Sequence, residues 1–243
     1  MTSDTNGQIK DQIVTKPQMA QPRRLTFIHT VKALEPVFAL LAAEKLPGWQ
    51  IASVVDESLL SRVIANGHVA EDVSDRLASH VNAARTGGSS AIIVTCSTLG
   101  KAVDALAAKS ATPLFRIDRG MAERAVSQAS TIGILATLPT TLEPTTRLLE
   151  STAKRMGRPC KFVSQLVNEA FARLKSGNPE AHDLLVQEAY AALSAKVELV
   201  VLAQASMARA LQAGQYPKPY LTSPELGMDQ IASLLRLSRM SAD

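Results

Sequence analysis

Two stretches of the sequence decide the fold: AIIVTCST at residues 91–98 and LVVLAQAS at residues 199–206. Each is a short apolar run that ends in small polar residues, as expected of a buried parallel strand. The stretches belong to a longer internal repeat, in which LTFIHT (25–30) matches TIGILAT (131–137) and TPLFRI (112–117) matches KPYLTS (218–223). The repeat predicts two similar lobes in one chain.

Between the repeated runs, longer segments have helical periodicity, which predicts βαβ units and an α/β fold with a mainly parallel sheet in each lobe. Helix-start signals support this reading: Asn178 as N-cap before Pro179, and Pro144 at the start of another helix. The predicted strands are 25–30, 50–55, 91–95, 113–117, 131–136, 161–163, 199–203 and 219–222.

The expected domain organisation is a disordered polar tail at residues 1–24, a first lobe at 25–128 and a second lobe at 129–223. A C-terminal helix at about 224–240 is expected to pack on the first lobe. The tail has no apolar segment of the kind a signal peptide needs, so a cytoplasmic protein is expected.

The composition excludes several classes of protein. Hydrophobic residues make up 46% of the chain, yet no apolar run reaches the roughly 18 residues of a membrane span. The net charge is +4, but half of the excess lies in the tail, and aromatic residues make up only 4% of the chain. Neither nucleic-acid binding nor membrane binding is therefore expected. The two cysteines, Cys96 and Cys160, are too few for a disulfide framework.

The repeat also predicts where a ligand binds, because ligands of parallel α/β sheets lie at the carboxyl ends of the strands. The cleft between the lobes should then be lined by strand-end residues, with Cys96 and Gln204 as paired positions on opposite sides. The expected lining is His29-Thr30, Asp56-Glu57, Cys96-Ser97-Thr98, residues 137–141 and Gln204-Ala205-Ser206.

Cys96 is the strongest candidate for chemistry, because it lies at a strand end where a helix begins. Unpaired N–H groups at that point would lower the pKa of the thiol. The competing interpretation is a buried, inert cysteine. Cys160 follows a turn and enters a short strand, which indicates a structural role.

Hydroxyl side chains at the strand ends suit a small carboxylate, although each could simply cap a helix. They are Ser97, Thr98, Thr137, Thr140, Thr141 and Ser206.

The ionisable residues near the strand ends have two possible readings. His29 could line the cleft or lie in the core, and Asp56-Glu57 could cap a helix or supply a catalytic acid. The other histidines, His68, His80 and His182, read as surface residues. No metal-ligand spacing, phosphate loop or dinucleotide motif is present, so neither a metal nor a cofactor is expected.

With these motifs in place, the sequence resembles the aspartate/glutamate/hydantoin racemase superfamily over roughly residues 25–237. The resemblance implies a cofactor-independent enzyme, a homodimer, and a small carboxylate held between the lobes. It also implies two cysteines that flank the substrate's α-carbon, one removing a proton and the other returning one. By this resemblance, Cys96 is the first cysteine, Ser97 and Thr98 bind the carboxylate, and Thr137 and Thr140 belong to the second lobe's carboxylate-binding segment.

The sequence departs from the family at the second cysteine, where Gln204 stands. A carboxamide does not titrate near neutral pH, so it cannot act as a general acid or base. Two-thiol racemisation is therefore not expected. His29, Asp56 and Glu57 are the candidates for a replacement acid or base, and Gln204 and Ser206 could instead donate hydrogen bonds to a developing oxyanion.

Three hypotheses remain open. In the first, the protein is an isomerase or lyase in which Cys96 moves a proton at the carbon next to a carboxylate. In the second, Cys96 attacks its substrate covalently, as in the family's maleate-isomerising relatives or in a hydrolase. In the third, the chain is an inactive module that binds carboxylates.

Overall fold

The computed structural model describes residues 23–212 and 214–240, so nearly all of the predicted tail lies outside the described residues. The chain forms two four-stranded parallel sheets with helices packed on them, in the orders β2-β1-β3-β4 and β6-β5-β7-β8. Every pairing between neighbouring strands is parallel. The predicted α/β fold with two similar lobes is confirmed.

The strands follow the predicted positions closely. The first sheet contains β1 (Arg24–His29), β2 (Gln50–Val55), β3 (Ala91–Val94) and β4 (Leu114–Arg116). The second contains β5 (Thr131–Ala136), β6 (Lys161–Leu166), β7 (Leu199–Leu202) and β8 (Tyr220–Leu221). The strand predicted at 161–163 extends to Leu166, and the one predicted at 219–222 is only two residues long.

Helices connect the strands in both lobes. Those before β5 are α1 (Glu35–Lys45), α2 (Glu57–Asn66), α3 (Glu71–Thr86), α4 (Gly100–Ala107) and α5 (Arg119–Gln128). Those after it are α6 (Pro139–Arg155), α7 (Asn168–Lys175), α8 (Pro179–Ser194), α9 (Ala208–Leu211) and α10 (Ser223–Met240). Short 3-10 turns lie at Lys32–Leu34, Ser97–Leu99 and Ala205–Met207.

Two helix-start predictions have different outcomes. The Asn178 side chain accepts a hydrogen bond from the Ala181 amide at 3.0 Å, which confirms the N-cap of α8. Pro144 does not open a helix, because α6 begins at Pro139 and Pro144 lies inside it. Both prolines have the fixed φ of a first helical position, but only one of them can occupy it. Pro144 therefore leaves one backbone carbonyl of α6 without its usual donor.

The central strands are buried on both faces, as the continuous apolar runs predict. In β1, Leu25 and Phe27 join one core cluster, while Ile28 joins another on the opposite face of the sheet. This alternation follows from the two-residue period of a strand. Helix α10 returns to the first sheet, where Met228 and Ile231 pack in the same cluster as Leu25 and Phe27.

The repeat places corresponding turns at the carboxyl ends of β3 and β7. Cys96 precedes the turn Ser97–Leu99, and Gln204 precedes the turn Ala205–Met207. The Thr98 and Thr141 hydroxyls form a 2.8 Å hydrogen bond that joins the two lobes beside these turns. Within residues 23–212 and 214–240, no helix is long and apolar enough to cross a membrane.

Candidate active site

A small cavity lies between the two repeated turns, and we call it the inner cavity. Its volume is about 40 Å³, and both Cys96 and Gln204 line it. The two paired positions therefore share one cavity. The complete lining is Thr30, Val31, Leu34, Leu60, Thr95, Cys96, Ser97, Thr98, Leu138, Thr141, Phe171, Ala203, Gln204, Ala205 and Ser206.

The inner cavity opens into a wider groove, which we call the outer cleft. The outer cleft has a volume of about 1280 Å³ and is lined by α1, α2, α7, α9 and the segment from β8 into α10. The two spaces share seven lining residues: Thr30, Val31, Leu34, Leu60, Phe171, Ala205 and Ser206. A ligand in the inner cavity can therefore extend into the outer cleft.

Cys96 lies at the end of β3 and is only 8% exposed. Burial raises the pKa of its thiol above the usual value. The hydroxyls of Thr30 and Thr98 and the amides of Thr98 and Leu99 act in the opposite direction, since each can donate a hydrogen bond to a thiolate. Burial outweighs them, so the expected lowering of this pKa is wrong. At neutral pH, Cys96 carries its proton.

Gln204 is held in one orientation by Thr137. Its Oε1 accepts a hydrogen bond from the Thr137 amide at 2.8 Å, and its Nε2 donates one to the Thr137 hydroxyl at 2.6 Å. This pair joins the ends of β5 and β7. One Nε2 hydrogen remains free of this pair, so the carboxamide can still donate a hydrogen bond into the cavity. Thr137 itself does not line the cavity but fixes the residue that does.

The remaining polar lining comes from both lobes. Ser97 and Thr98 are contributed by the first lobe, and Ala205 and Ser206 by the second. Because the Thr98 and Thr141 hydroxyls share a single hydrogen bond, one of their two protons stays available to a ligand. Thr140 lies beside this group but does not line the cavity, and its hydroxyl is buried without a hydrogen-bond partner among the described residues.

His29 does not reach the inner cavity. It is the last residue of β1 and lies on the same face as Phe27, where it is fully buried and contacts the rings of Phe27 and Phe38. Its Nδ1 is 2.9 Å from the Thr95 hydroxyl. Burial lowers the pKa of His29 to about 4, although Glu35 acts against this shift. His29 is therefore neutral at pH 7 and lies behind the site, under Thr95.

Asp56 also stays outside the inner cavity, because its carboxylate is used elsewhere. It caps α2 by accepting a hydrogen bond from the Ser58 amide at 3.1 Å. It also binds the Arg76 guanidinium and lies 2.7 Å from His80 Nε2. Burial alone would raise its pKa, but the hydrogen bonds from Arg76, Ser58 and His80 hold that pKa well below the usual range.

The other ionisable candidates also lie away from the inner cavity. Glu57 lines the outer cleft, where its side chain accepts a hydrogen bond from the Lys32 amide at 3.1 Å. The prediction of a surface position is wrong for His182, which is fully buried with its Nδ1 2.8 Å from Asp183. Cys160 is half-buried, and its thiol donates to the Ala129 carbonyl at 3.5 Å. The described residues contain no group of three or more potential ligands that could hold a metal ion.

Sequence reasoning missed the apolar side of the inner cavity. Val31 and Leu34 precede α1, Leu60 lies on α2, Leu138 precedes α6 and Phe171 lies on α7. These residues come from segments far apart in the chain and carry no motif. A weak signal was available, because the helices after β1, β2, β5 and β6 all begin at the carboxyl edges of the sheets.

The chain consists of two similar α/β lobes that meet around one cysteine and a set of hydroxyl groups. A family model described as Asp/Glu/Hydantoin racemase matches residues 30–231, and the chain belongs to this family. Membership supports a racemase-type enzyme. A comparison with curated proteins gave no match.

Solved structures show the same fold at low sequence identity. A glutamate racemase from Bacillus anthracis has a TM-score of 0.67 at 15% identity, covering 89% of this chain and 82% of that one. An allantoin racemase from Klebsiella pneumoniae has a TM-score of 0.63 at 19% identity, covering 89% of each chain. An aspartate racemase from Picrophilus torridus has a TM-score of 0.62 at 14% identity, covering 87% of this chain and 94% of that one.

Several expectations are tested neither by the structure nor by these comparisons. The homodimer, the cytoplasmic location, the absence of nucleic-acid binding and the limits of the lobes stay predictions.

Proposed function

We propose that the protein transfers a proton at the carbon next to the carboxylate of a small carboxylic acid, with Cys96 as the proton carrier. One observation carries this proposal: among the described residues that line the inner cavity, Cys96 is the only titratable side chain. Proton transfer requires such a group within reach of the reacting carbon. A second acid or base is not at hand, since His29, Asp56 and Glu57 all lie outside this cavity.

The substrate's carboxylate is proposed to bind the hydroxyl groups and backbone amides that surround Cys96. Ser97 and Thr98 are available from the first lobe, and Ser206 and the free Nε2 hydrogen of Gln204 from the second. Neutral donors of this kind stabilise an anion without a formal positive charge. They stabilise it more strongly when negative charge moves onto the oxygens, as happens when an enediolate forms.

In the proposed chemistry a single group, the thiol of Cys96, carries the proton. When the thiolate removes the α-proton, the C–H bond breaks, an S–H bond forms, and the electron pair moves onto the carboxylate as an enediolate. Loss of carbon dioxide from a malonate produces the same enediolate, which the Cys96 thiol can protonate. The raised pKa of Cys96 suits this second direction, because the thiol holds its proton at neutral pH. In both reactions the proton is transferred on the face of the α-carbon that Cys96 occupies.

The experiment is hydrogen exchange in deuterated buffer, followed by NMR over a panel of small carboxylic acids and substituted malonates. Deuterium should enter at the α-carbon with the wild-type protein, and incorporation should fall by at least a hundredfold in Cys96→Ala, since general acid–base groups contribute about 10²–10⁴-fold. Cys160→Ala is the matched control, because it removes the same thiol at a site outside the inner cavity. Equal loss in both variants, or full exchange in Cys96→Ala, would contradict the proposal.

A covalent adduct on Cys96 would indicate a different reaction. Intact-mass spectrometry during turnover should show the unmodified chain if the thiol only carries a proton. A persistent mass increase that disappears in Cys96→Ala would replace proton transfer by nucleophilic catalysis.

A further inference from the structure

The inner cavity has a polar side and an apolar side. The polar side consists of Cys96 and its neighbouring hydroxyl and amide groups. The apolar side is formed by five large side chains, Val31, Leu34, Leu60, Leu138 and Phe171, together with the small Ala203 and Ala205. If the carboxylate of a substrate binds the polar residues, the apolar residues remain for its α-substituent to contact.

No charged side chain of the described residues lines the inner cavity. A second carboxylate on the substituent would therefore lose its hydration without gaining a counter-charge, and burial of an unpaired charge is costly. Two cationic side chains, Lys175 and Arg209, line the outer cleft but not the inner cavity. Arg209 is already used there, because its guanidinium lies 2.9 Å from Asp183 and donates to the Pro179 carbonyl at 3.0 Å.

The size of the inner cavity directs the substituent outward. A volume of about 40 Å³ holds the carboxylate and the reacting carbon but little more. Four of the five large apolar residues, Val31, Leu34, Leu60 and Phe171, also line the outer cleft. A substituent that extends from the inner cavity into the outer cleft can therefore contact these side chains, where burial of apolar surface contributes about 25 cal/mol per Å².

We infer that the substrates of this site carry a neutral, apolar substituent on the α-carbon, and that dicarboxylates with the side chain of aspartate or glutamate are poor ligands. This inference rests on the proposed function, because it assumes that the carboxylate binds beside Cys96. Phe171 is the specificity-determining residue we select for the test, since it lies where the inner cavity joins the outer cleft.

The experiment compares two acids of the same shape. In 4-methylpentanoate, an isopropyl group replaces the second carboxylate of succinate. Ligand-observed NMR titration of the full chain should give a dissociation constant for 4-methylpentanoate at least tenfold below that for succinate. Phe171→Arg places a cation on the apolar side and should reverse this preference. Phe171→Leu is the matched control and should keep it, because its side chain remains apolar.

The outcomes separate the substrate class from the proposed chemistry. Equal or tighter binding of succinate by the wild-type protein, or no binding of either acid, would overturn the inferred substrate class. A preference that survives Phe171→Arg would overturn the role of Phe171 in selecting the substituent. Preferential binding of 4-methylpentanoate together with Cys96-independent exchange would support the inference and contradict the proposed function. Cys96-dependent exchange of dicarboxylates alone would support the proposed function and overturn the inferred substrate class.

Discussion

Gly100→Ala is expected to destabilise the protein and to displace the turn that carries the reactive cysteine. Gly100 begins α4 directly after the turn Ser97–Leu99, which follows Cys96. A Cβ at this position would lie 2.8 Å from Nη1 of Arg116, and closer still to two other guanidinium atoms. Such distances are too short for non-bonded atoms, so either the guanidinium or the turn must move.

The guanidinium is not free to move. Arg116 is only 6% exposed, and its Nε and Nη2 donate to the two oxygens of the fully buried Asp118 at 2.7 and 2.9 Å. Its Nη1 donates to Asp104 at 2.7 Å. Overpacking of a rigid site costs about 1–3 kcal/mol. Alanine gains up to about 1 kcal/mol over glycine in a helix, so a net loss of up to ~2 kcal/mol is expected.

Urea unfolding of a double-mutant cycle measures this coupling. The second background is Arg116→Ala/Asp118→Ala, which removes the obstructing side chain together with its buried counter-charge. In that background, Gly100→Ala should be neutral or stabilising by up to about 1 kcal/mol. The single variant should also lose Cys96-dependent exchange, because the turn shifts. An identical loss of stability in both backgrounds would refute the packing explanation.

Three further predictions concern pH. The exchange rate that depends on the Cys96 thiolate should rise about tenfold per pH unit from pH 6 and continue to rise beyond pH 9, since burial raises this pKa; a plateau near pH 7 would contradict this. Burial lowers the pKa of His29 to about 4, against 6.5 in the unfolded chain. The free energy of unfolding should therefore fall as the pH drops from 6.5 to 4, by up to ~1.4 kcal/mol per pH unit. His29→Phe should remove this slope. Asp56→Asn should cost about 1–3 kcal/mol at pH 7, and urea titrations should show the difference shrinking below about pH 4, because Asp56 has a lowered pKa.

The fold could be predicted from the sequence because the strands are buried on both faces. Their apolar runs are continuous and repeat with the same spacing, and parallel sheets leave few ways to connect them. Strand ends were harder to predict. The last strand was predicted at residues 219–222, but β8 contains only Tyr220 and Leu221. A short edge strand depends on pairing with its one neighbour, which no local pattern encodes.

The central pair of the site could also be predicted, since the repeat alone aligns Cys96 with Gln204. The ionisable candidates were harder to place. His29 and Thr30 are adjacent, yet only Thr30 lines the cavity, because neighbouring side chains at a strand end lie on opposite faces. The carboxylate of Asp56 binds Arg76 and His80 of α3, a tertiary contact between residues 20 and 24 positions apart. The pKa of Cys96 depends on burial, which outweighs the local amides.

The most direct test of the account is the stereochemical course of exchange. A single enantiomer of an α-chiral acid that undergoes Cys96-dependent exchange is incubated in deuterated buffer, and deuterium content and enantiomeric purity are measured together by NMR and chiral chromatography. The wild-type protein should incorporate deuterium with retention of configuration, because one thiol serves one face. Gln204→Cys should add racemisation by placing a second thiol across the inner cavity. Racemisation by the wild-type protein at the rate of exchange would contradict the single-thiol mechanism.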